Sequence, residues 1–305
     1  MERGAERKAH GVEREDIAKS MNKIAFVVPY FGKWPVWFPA FLQSVRYNPD
    51  IDWLFFTDCP EPPRHPKNTR FIPFGMAELL KLFSRKLGFE VKFPNAYKLC
   101  EFKPAYGAIF QDYLANYNFW GHCDIDLIFG SIKRFITEEV FENYDVITAF
   151  NKEVEGRRFC GHFTLYRNIE AVNNLFRDNP RHKDIFQKEN YVGYDESKMA
   201  YIVKRAMDSG RTRALWGGYS IDVPLNKLYT GRYLWSEGKL YENRREIMYV
   251  HFIFWKGWMK KCFSYHNNPR SFYISFSHIG GRYSALSALR VVVGKLKTFL
   301  TKRRR

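Results

Sequence analysis

Asp124-Ile125-Asp126 places two carboxylates one residue apart, directly after the apolar run Phe119-Trp120-Gly121-His122-Cys123. Two hard oxygen ligands so close together suit one small divalent cation, Mg²⁺ or Mn²⁺. Such an ion holds a diphosphate and offsets the charge on a departing nucleotide. An extended backbone would put both side chains on one face, and a turn would also converge them. Spacing alone carries little, because a chain of 305 residues holds roughly one Asp-x-Asp triplet by chance, usually in a solvated turn. The setting changes the reading. Leu127-Ile128-Phe129-Gly130 follows at once, so both charges sit in an apolar stretch, where burial is costly without positive compensation.

A second apolar segment, Tyr249-Val250-His251-Phe252-Ile253-Phe254-Trp255-Lys256, has two polar interruptions. An imidazole at His251 could complete a metal shell, and Lys256 could reach a phosphate. The competing readings are a core histidine bonded to a carbonyl and a solvated lysine.

The elements that must position these groups alternate in type. Ile24-Ala25-Phe26-Val27-Val28, ended by Pro29, reads as a buried strand. Residues 34–45 carry apolar groups at helical spacing, 52–57 form a second strand, 70–73 a third, and 76–87 an amphipathic helix. The spacing predicts a further helix over 104–117 with Pro104 in its first turn, then the strand that ends at Asp124. Strands are expected at 145–148, 161–166 and 249–255, and a helix over 197–206 introduced or capped by Asp195 and Glu196. This is an α/β pattern on a largely parallel sheet, where ligands gather beyond the carboxyl ends of the strands.

Composition sets outer bounds. Hydrophobic residues make up 46% of the chain, which is globular rather than disordered. A net charge of +17 attracts phosphates, whether in nucleotides, anionic lipid or nucleic acid. No nucleic-acid motif accompanies the charge, so nucleic acid is not an expected partner. The five cysteines are widely spaced with no C-x-x-C pair, which fits reduced thiols and a cytoplasmic protein. No apolar run nears the ~20 residues that span a bilayer.

Four stretches carry a family likeness: residues 26–32, Tyr97 to Gly107, Phe119 to Gly130, and Gly161-His162-Phe163-Thr164-Leu165-Tyr166-Arg167-Asn168. With Thr57-Asp58 and the late His251 and Lys256, they resemble glycosyltransferases of the GT-A fold over roughly residues 22–260. Within that fold the chain is most similar to sugar transferases of bacterial surface-polysaccharide and lipopolysaccharide clusters. The resemblance implies a Rossmann-like, mostly parallel central sheet flanked by helices, and a metal-dependent transferase of the hexosyltransferase type. Its donor would be a nucleotide-sugar, a UDP-hexose in the first instance, and its acceptor a glycan or lipid-linked saccharide. Pro29, Tyr30 and Phe31 would hold the nucleotide, Tyr30 stacking on the base, and Asp58 would touch base or ribose. Lys103 would face phosphate or the acidic centre. Asp124, Asp126 and His251 would bind the metal, with Asp124 and Asp126 also on the diphosphate. His162 would lie near the donor sugar, Asp195 or Glu196 would serve the sugar hydroxyls or act as base, and Lys256 would steady the leaving diphosphate. Retention or inversion stays open.

Residues 1–21 read as an extension without structure, 22–283 as one catalytic domain, and 284–305 as a basic tail. Leu286, Leu289, Val293, Leu296 and Leu300 form one helical stripe beside Arg290, Lys295, Lys297 and Lys302-Arg303-Arg304-Arg305. That tail reads either as an in-plane helix on an anionic membrane surface, the cytoplasmic face of the inner membrane, or as a helix docked on the protein itself. Two rival functions remain, a nucleotidyltransferase and a non-catalytic glycan-binding protein. The first would want a glycine-rich, lysine-containing loop after the first strand, of which Tyr30-Phe31-Gly32-Lys33 is a poor version.

Overall fold

A computed structural model describes residues 22–93, 96–150, 152–218, 220–222, 231–281 and Val293. The expected extension at 1–21 and, apart from Val293, the basic tail at 284–305 lie outside the described residues.

Strand β1 (Ile24–Tyr30) shows why the sheet is sandwiched. Ile24, Phe26 and Val28 enter one core cluster, while Ala25 and Val27 enter another on the opposite face. Alternation sends successive side chains to opposite faces, so an all-apolar strand needs both faces covered. Helix α1 (Phe38–Arg46) supplies Phe38, Phe41, Leu42 and Val45 to the first face. Helix α2 (Met76–Leu87) supplies Leu79, Leu82, Phe83 and Leu87 to the second. Each fully buried side chain of this size contributes about 1.5–3 kcal/mol.

Strands β2 (Ile51–Thr57) and β3 (Thr69–Pro73) extend the sheet from β1 in parallel on one side. On the other side β1 meets β4 (Phe119–Cys123), also parallel. Beyond β5 (Leu127–Phe129) the chain forms β6 (Val146–Thr148), β7 (Phe163–Arg167) and β8 (Ala214–Trp216). Among the described residues the central sheet has seven strands in the order β3-β2-β1-β4-β7-β6-β8, with β7 antiparallel to both its neighbours. The expected α/β architecture with a mostly parallel central sheet is what the chain adopts.

The order reverses at β1 and β4, and such a switch point opens a crevice at the strand ends. Here the opening is wide. β1 pairs with β4 only from Ile24 to Phe26, against Phe119 to Gly121, and then the two diverge. Pro29 falls beyond that pairing and keeps its ladder position only against Phe56 of β2.

The second half of the chain adds two sheets. β9 (Ser220–Asp222), β10 (Arg232–Ser236), β11 (Lys239–Glu242), β12 (Arg245–Ile247) and β13 (Tyr249–His251) are followed by β14 (Lys261–Cys262), β15 (Ser271–Ser275) and β16 (His278–Gly280). β10, β11, β12, β14, β15 and β16 form a largely antiparallel sheet whose Tyr233, Trp235, Phe272 and Ile274 join the first core cluster. A small sheet, β5-β13-β9, ties the metal-ligand candidates together.

Three expected elements differ. In place of one helix over 104–117, a 3₁₀ segment Ala96–Ala105 leads into two short turns, Tyr106–Ile109 and Gln111–Leu114. Pro104 removes an N–H from this run, and Phe110 breaks the second half at φ −101°, ψ 21°. The expected strand over 249–255 stops at His251, and Ile253–Trp258 is a 3₁₀ helix. The helix near 197–206 is Met199–Asp208, entered through a π turn Tyr194–Lys198 that contains Asp195 and Glu196. Those two residues are therefore inside a turn rather than capping a helix.

Candidate active site

Asp124 and Asp126 stand in the turn between β4 and β5, where the chain leaves the central sheet for the small one. Asp124 N–H donates to the carbonyl of His162 at 3.0 Å, extending the β4–β7 ladder by one residue. Ile125 between them is buried in the first core cluster, and its carbonyl accepts from Trp37 Nε1 at 2.9 Å. With Ile125 anchored in the core, the turn leaves both carboxylates lining one cavity.

His251 arrives from far along the chain by backbone pairing. In the antiparallel register of β5 and β13, His251 faces Leu127, and Phe252 N–H donates to the Asp126 carbonyl at 3.2 Å. One ligand atom from each of Asp124, Asp126 and His251 lies within 4.8 Å of the others. Two carboxylates and an imidazole at this separation fit a Mn²⁺ or Mg²⁺ ion, with room for phosphate oxygens. Asp126 Oδ2 supports the fit: it is buried and lacks a well-aligned hydrogen bond, although Lys256 Nζ stands 2.8 Å and His251 Nε2 3.4 Å away.

Two lysines flank the carboxylates. Lys103 Nζ donates to Asp124 Oδ1 at 2.6 Å and to the Gly161 carbonyl at 2.7 Å. Burial favours its neutral form, but the Asp124 carboxylate outweighs this and holds the ammonium charged, its pKa well above the ordinary value. Lys256 is likewise raised, burial opposing and Asp126 prevailing. Burial pushes the Asp126 carboxyl up, yet the nearby His251 imidazole, with the Lys256 ammonium, holds it well below the usual carboxylate range.

His162 sits one layer beneath. Its ring stacks on His251 at 4.1 Å between centroids, and its Nε2 lies 2.9 Å from Tyr249 Oη and 3.3 Å from Cys160 Sγ. It thus packs against His251 and also lines the cavity.

The cavity encloses about 360 Å³. Pro29, Tyr30 and Phe31 line one side, with Tyr30 stacked on Trp34 at 5.2 Å. Asp195 and Glu196 line it too, next to Gly161. Gly161 has a steric reason to be glycine: a Cβ there would lie 2.7 Å from Asp195 Oδ2 and 3.0 Å from Glu196 Cγ. Burial, aided by Glu196 and Asp124, pushes the Asp195 carboxyl up to about 7, against the pull of Lys103 and of the Tyr191 hydroxyl.

Of the residues proposed from sequence, Asp58 stands apart. It does not line this cavity, and its Oδ1 accepts from Gly32 N–H at 2.7 Å, shaping the loop after β1. Several lining residues had drawn no attention singly. Tyr97 and Tyr191 pack edge to face at 5.1 Å, and Tyr191 Oη donates to Asp195 Oδ1 at 2.9 Å. His122 is buried against the cavity, and neither ring nitrogen has a hydrogen-bond partner among the described residues. Position on β4, two residues before Asp124, was the available signal for His122; Tyr191 lies in a loop with none.

The chain was compared with known proteins at the level of family, sequence and structure. Residues 26–281 match the profile of a family described as "Family of unknown function (DUF6625)", and the chain belongs to that family. No curated protein matches the sequence at a significant level. Similar solved structures include the galactosyltransferase LgtC in complex with donor and acceptor sugar analogs, at 10% identity and TM-score 0.42, covering 78% of this chain and 89% of LgtC. Another is the apo-form glycosyltransferase GlyE of Streptococcus pneumoniae TIGR4, at 12% identity and TM-score 0.36, covering 66% of this chain and 47% of GlyE. Among the described residues no helix is long and apolar enough to cross a membrane.

Proposed function

We propose that the chain is a metal-dependent glycosyltransferase of the GT-A type, moving a sugar from a nucleoside diphosphate donor to a glycan or lipid-linked saccharide. The observation that carries this reading is the convergence of Asp124, Asp126 and His251 at the switch point of the sheet, between two lysines. A glycan-binding module would gain nothing from holding a buried carboxylate and a half-buried one beside an imidazole.

Asp124, Asp126 and His251 would hold Mn²⁺ or Mg²⁺, which supplies charge stabilisation to the departing diphosphate. Lys256, at 43% side-chain exposure, is free enough to swing from Asp126 onto a phosphate oxygen. Pro29, Tyr30 and Phe31 would border the nucleoside. Asp195 would take a hydroxyl proton near neutral pH, because burial has brought its carboxyl to about 7. Glu196 would orient the sugar beside it. Donor preference is proposed as a UDP-hexose.

Release of free nucleoside diphosphate from sugar nucleotides tests the reading. Turnover should require Mn²⁺ or Mg²⁺, stop with a chelator, and fall by roughly a hundredfold or more in Asp126→Asn. Metal-independent turnover would remove the proposal.

A further inference from the structure

The 3₁₀ helix Ile253–Trp258 belongs both to the cavity wall and to the outer surface. Ile253 and Lys256 line the cavity, while Trp255 and the following Met259 are buried in the first core cluster. Those two anchors leave Ile253, Phe254 and Trp258 turned outward, at 42%, 45% and 51% exposure. Phe276 packs on one part of the Trp258 ring, at 5.4 Å between centroids. Single exposed apolar residues are ordinary, but three large ones within one six-residue helix mark a contact surface.

Charge points the same way. Lys260 and Lys261 follow at once and are exposed, and no aspartate or glutamate occurs anywhere after Glu246. Lys256 is engaged by Asp126. Of the acids in the cavity, Asp126 and Asp195 are buried, Asp124 is bonded to Lys103, and Glu196 stands beside Gly161. None of them lies on this segment, whose outer face is apolar and positive. A bilayer interface suits that combination. Aromatic rings settle at headgroup level, and lysine stems follow apolar surface while their ammonium groups meet lipid phosphates. A second copy of the chain fits less well, because a two-fold contact through this patch would set its lysines against their own copies.

Resting on the glycosyltransferase reading, we infer that Ile253, Phe254 and Trp258, with Lys260 and Lys261, seat the chain on an anionic lipid bilayer, and that its acceptor is a lipid-linked saccharide. An apolar cluster or a basic pair alone binds marginally, and the two together hold the surface. Because Ile253 also lines the cavity, the seated chain presents that cavity at the lipid surface.

The test uses the full chain and phosphatidylcholine vesicles with and without phosphatidylglycerol. A parallel set carries brominated acyl chains, which quench tryptophan on contact. No tryptophan follows Trp258 in the sequence, so quenching that is lost in Trp258→Phe reads this segment and not the chain after it. Wild type should bind the phosphatidylglycerol vesicles. Phe254→Ser with Trp258→Ser, and Lys260→Glu with Lys261→Glu, should each weaken that binding by roughly tenfold or more. Brominated lipid should quench wild type more than Trp258→Phe, and urea midpoints check that each variant folds. No vesicle binding by wild type, binding that neither double variant alters, or equal quenching in Trp258→Phe overturns the inference. So does a dimer that Phe254→Ser with Trp258→Ser abolishes while vesicles stay unbound, which gives the patch to a second copy. Absence of metal-dependent UDP and GDP binding in wild type instead removes the glycosyltransferase reading and with it the acceptor, while the vesicle results still decide the docking.

Discussion

His251 Nε2 lies 3.4 Å from Asp126 Oδ2, although 125 positions of sequence separate them, because β13 is laid antiparallel on β5. That pairing brings an imidazole beside the two carboxylates of an Asp-x-Asp turn. Replacing His251 with alanine should lower Mn²⁺ affinity by about tenfold or more, read by titration calorimetry. Tyr249→Phe, which removes the hydroxyl beside His162, should cost a smaller factor while leaving the fold intact. Unchanged Mn²⁺ affinity in His251→Ala would show that the imidazole is only packing.

Asp195 links the site to stability through pH. Its carboxyl is pushed up to about 7 in the folded chain, chiefly by burial, against an unfolded value near 4. Between those values the folded chain keeps a proton that the unfolded chain has released. Stability therefore falls as pH rises from about 4 to about 7, and the penalty stays constant above that. Asp195→Asn carries no charge to bury, so without added metal it should be more stable than wild type at pH 8, by up to about 4 kcal/mol, but not at pH 4. Urea unfolding at the two pH values checks this, and an equal difference at both would contradict it.

The Lys98–Glu101 pair should behave as a buried clamp. Lys98→Met strands Glu101 in the core and frees the carbonyls of Ile185 and Asn190, a loss of about 3–5 kcal/mol. Amide exchange should quicken first in residues 188–196. Lys98→Met unfolding at the wild-type denaturant midpoint would refute the clamp.

Gly161→Ala tests the close approach of backbone and carboxylate. Its added methyl would sit 2.7 Å from Asp195 Oδ2, so Asp195 or the turn leading into β7 must shift, at a cost of roughly 1–3 kcal/mol. Donor turnover should fall more than Mn²⁺ affinity does, since the side chain the methyl meets is Asp195, which is not among the candidate metal ligands. Parallel loss of both would mean that the turn before β7, not Asp195, had moved.

Local pattern made much of the fold legible. Residues 24–28, 52–57 and 119–123 announce buried strands, and α2 runs over the same 76–87 that its spacing predicts. Asp124 and Asp126 were readable because an apolar run on either side makes two charges anomalous. What local pattern hid depends on long-range pairing. The largely antiparallel sheet from β10 to β16 and the delivery of His251 to Asp126 arise from register between distant strands. The same limit explains Asp58, whose strand-end position is right for a ligand while its carboxylate is spent on Gly32. Tyr191 was invisible because its place depends on a loop clamped by Lys98 and Glu101, 90 or more residues away.

Binding of UDP and GDP, measured with and without Mn²⁺ on wild type and on Asp124→Ala with Asp126→Ala, tests the central claim most directly. A metal-dependent gain in nucleotide affinity of at least about tenfold in wild type, lost in the double variant, is the predicted result. Nucleotide binding that is absent, or that ignores both the metal and the two aspartates, would contradict the assignment of Asp124, Asp126 and His251 as a metal and diphosphate centre.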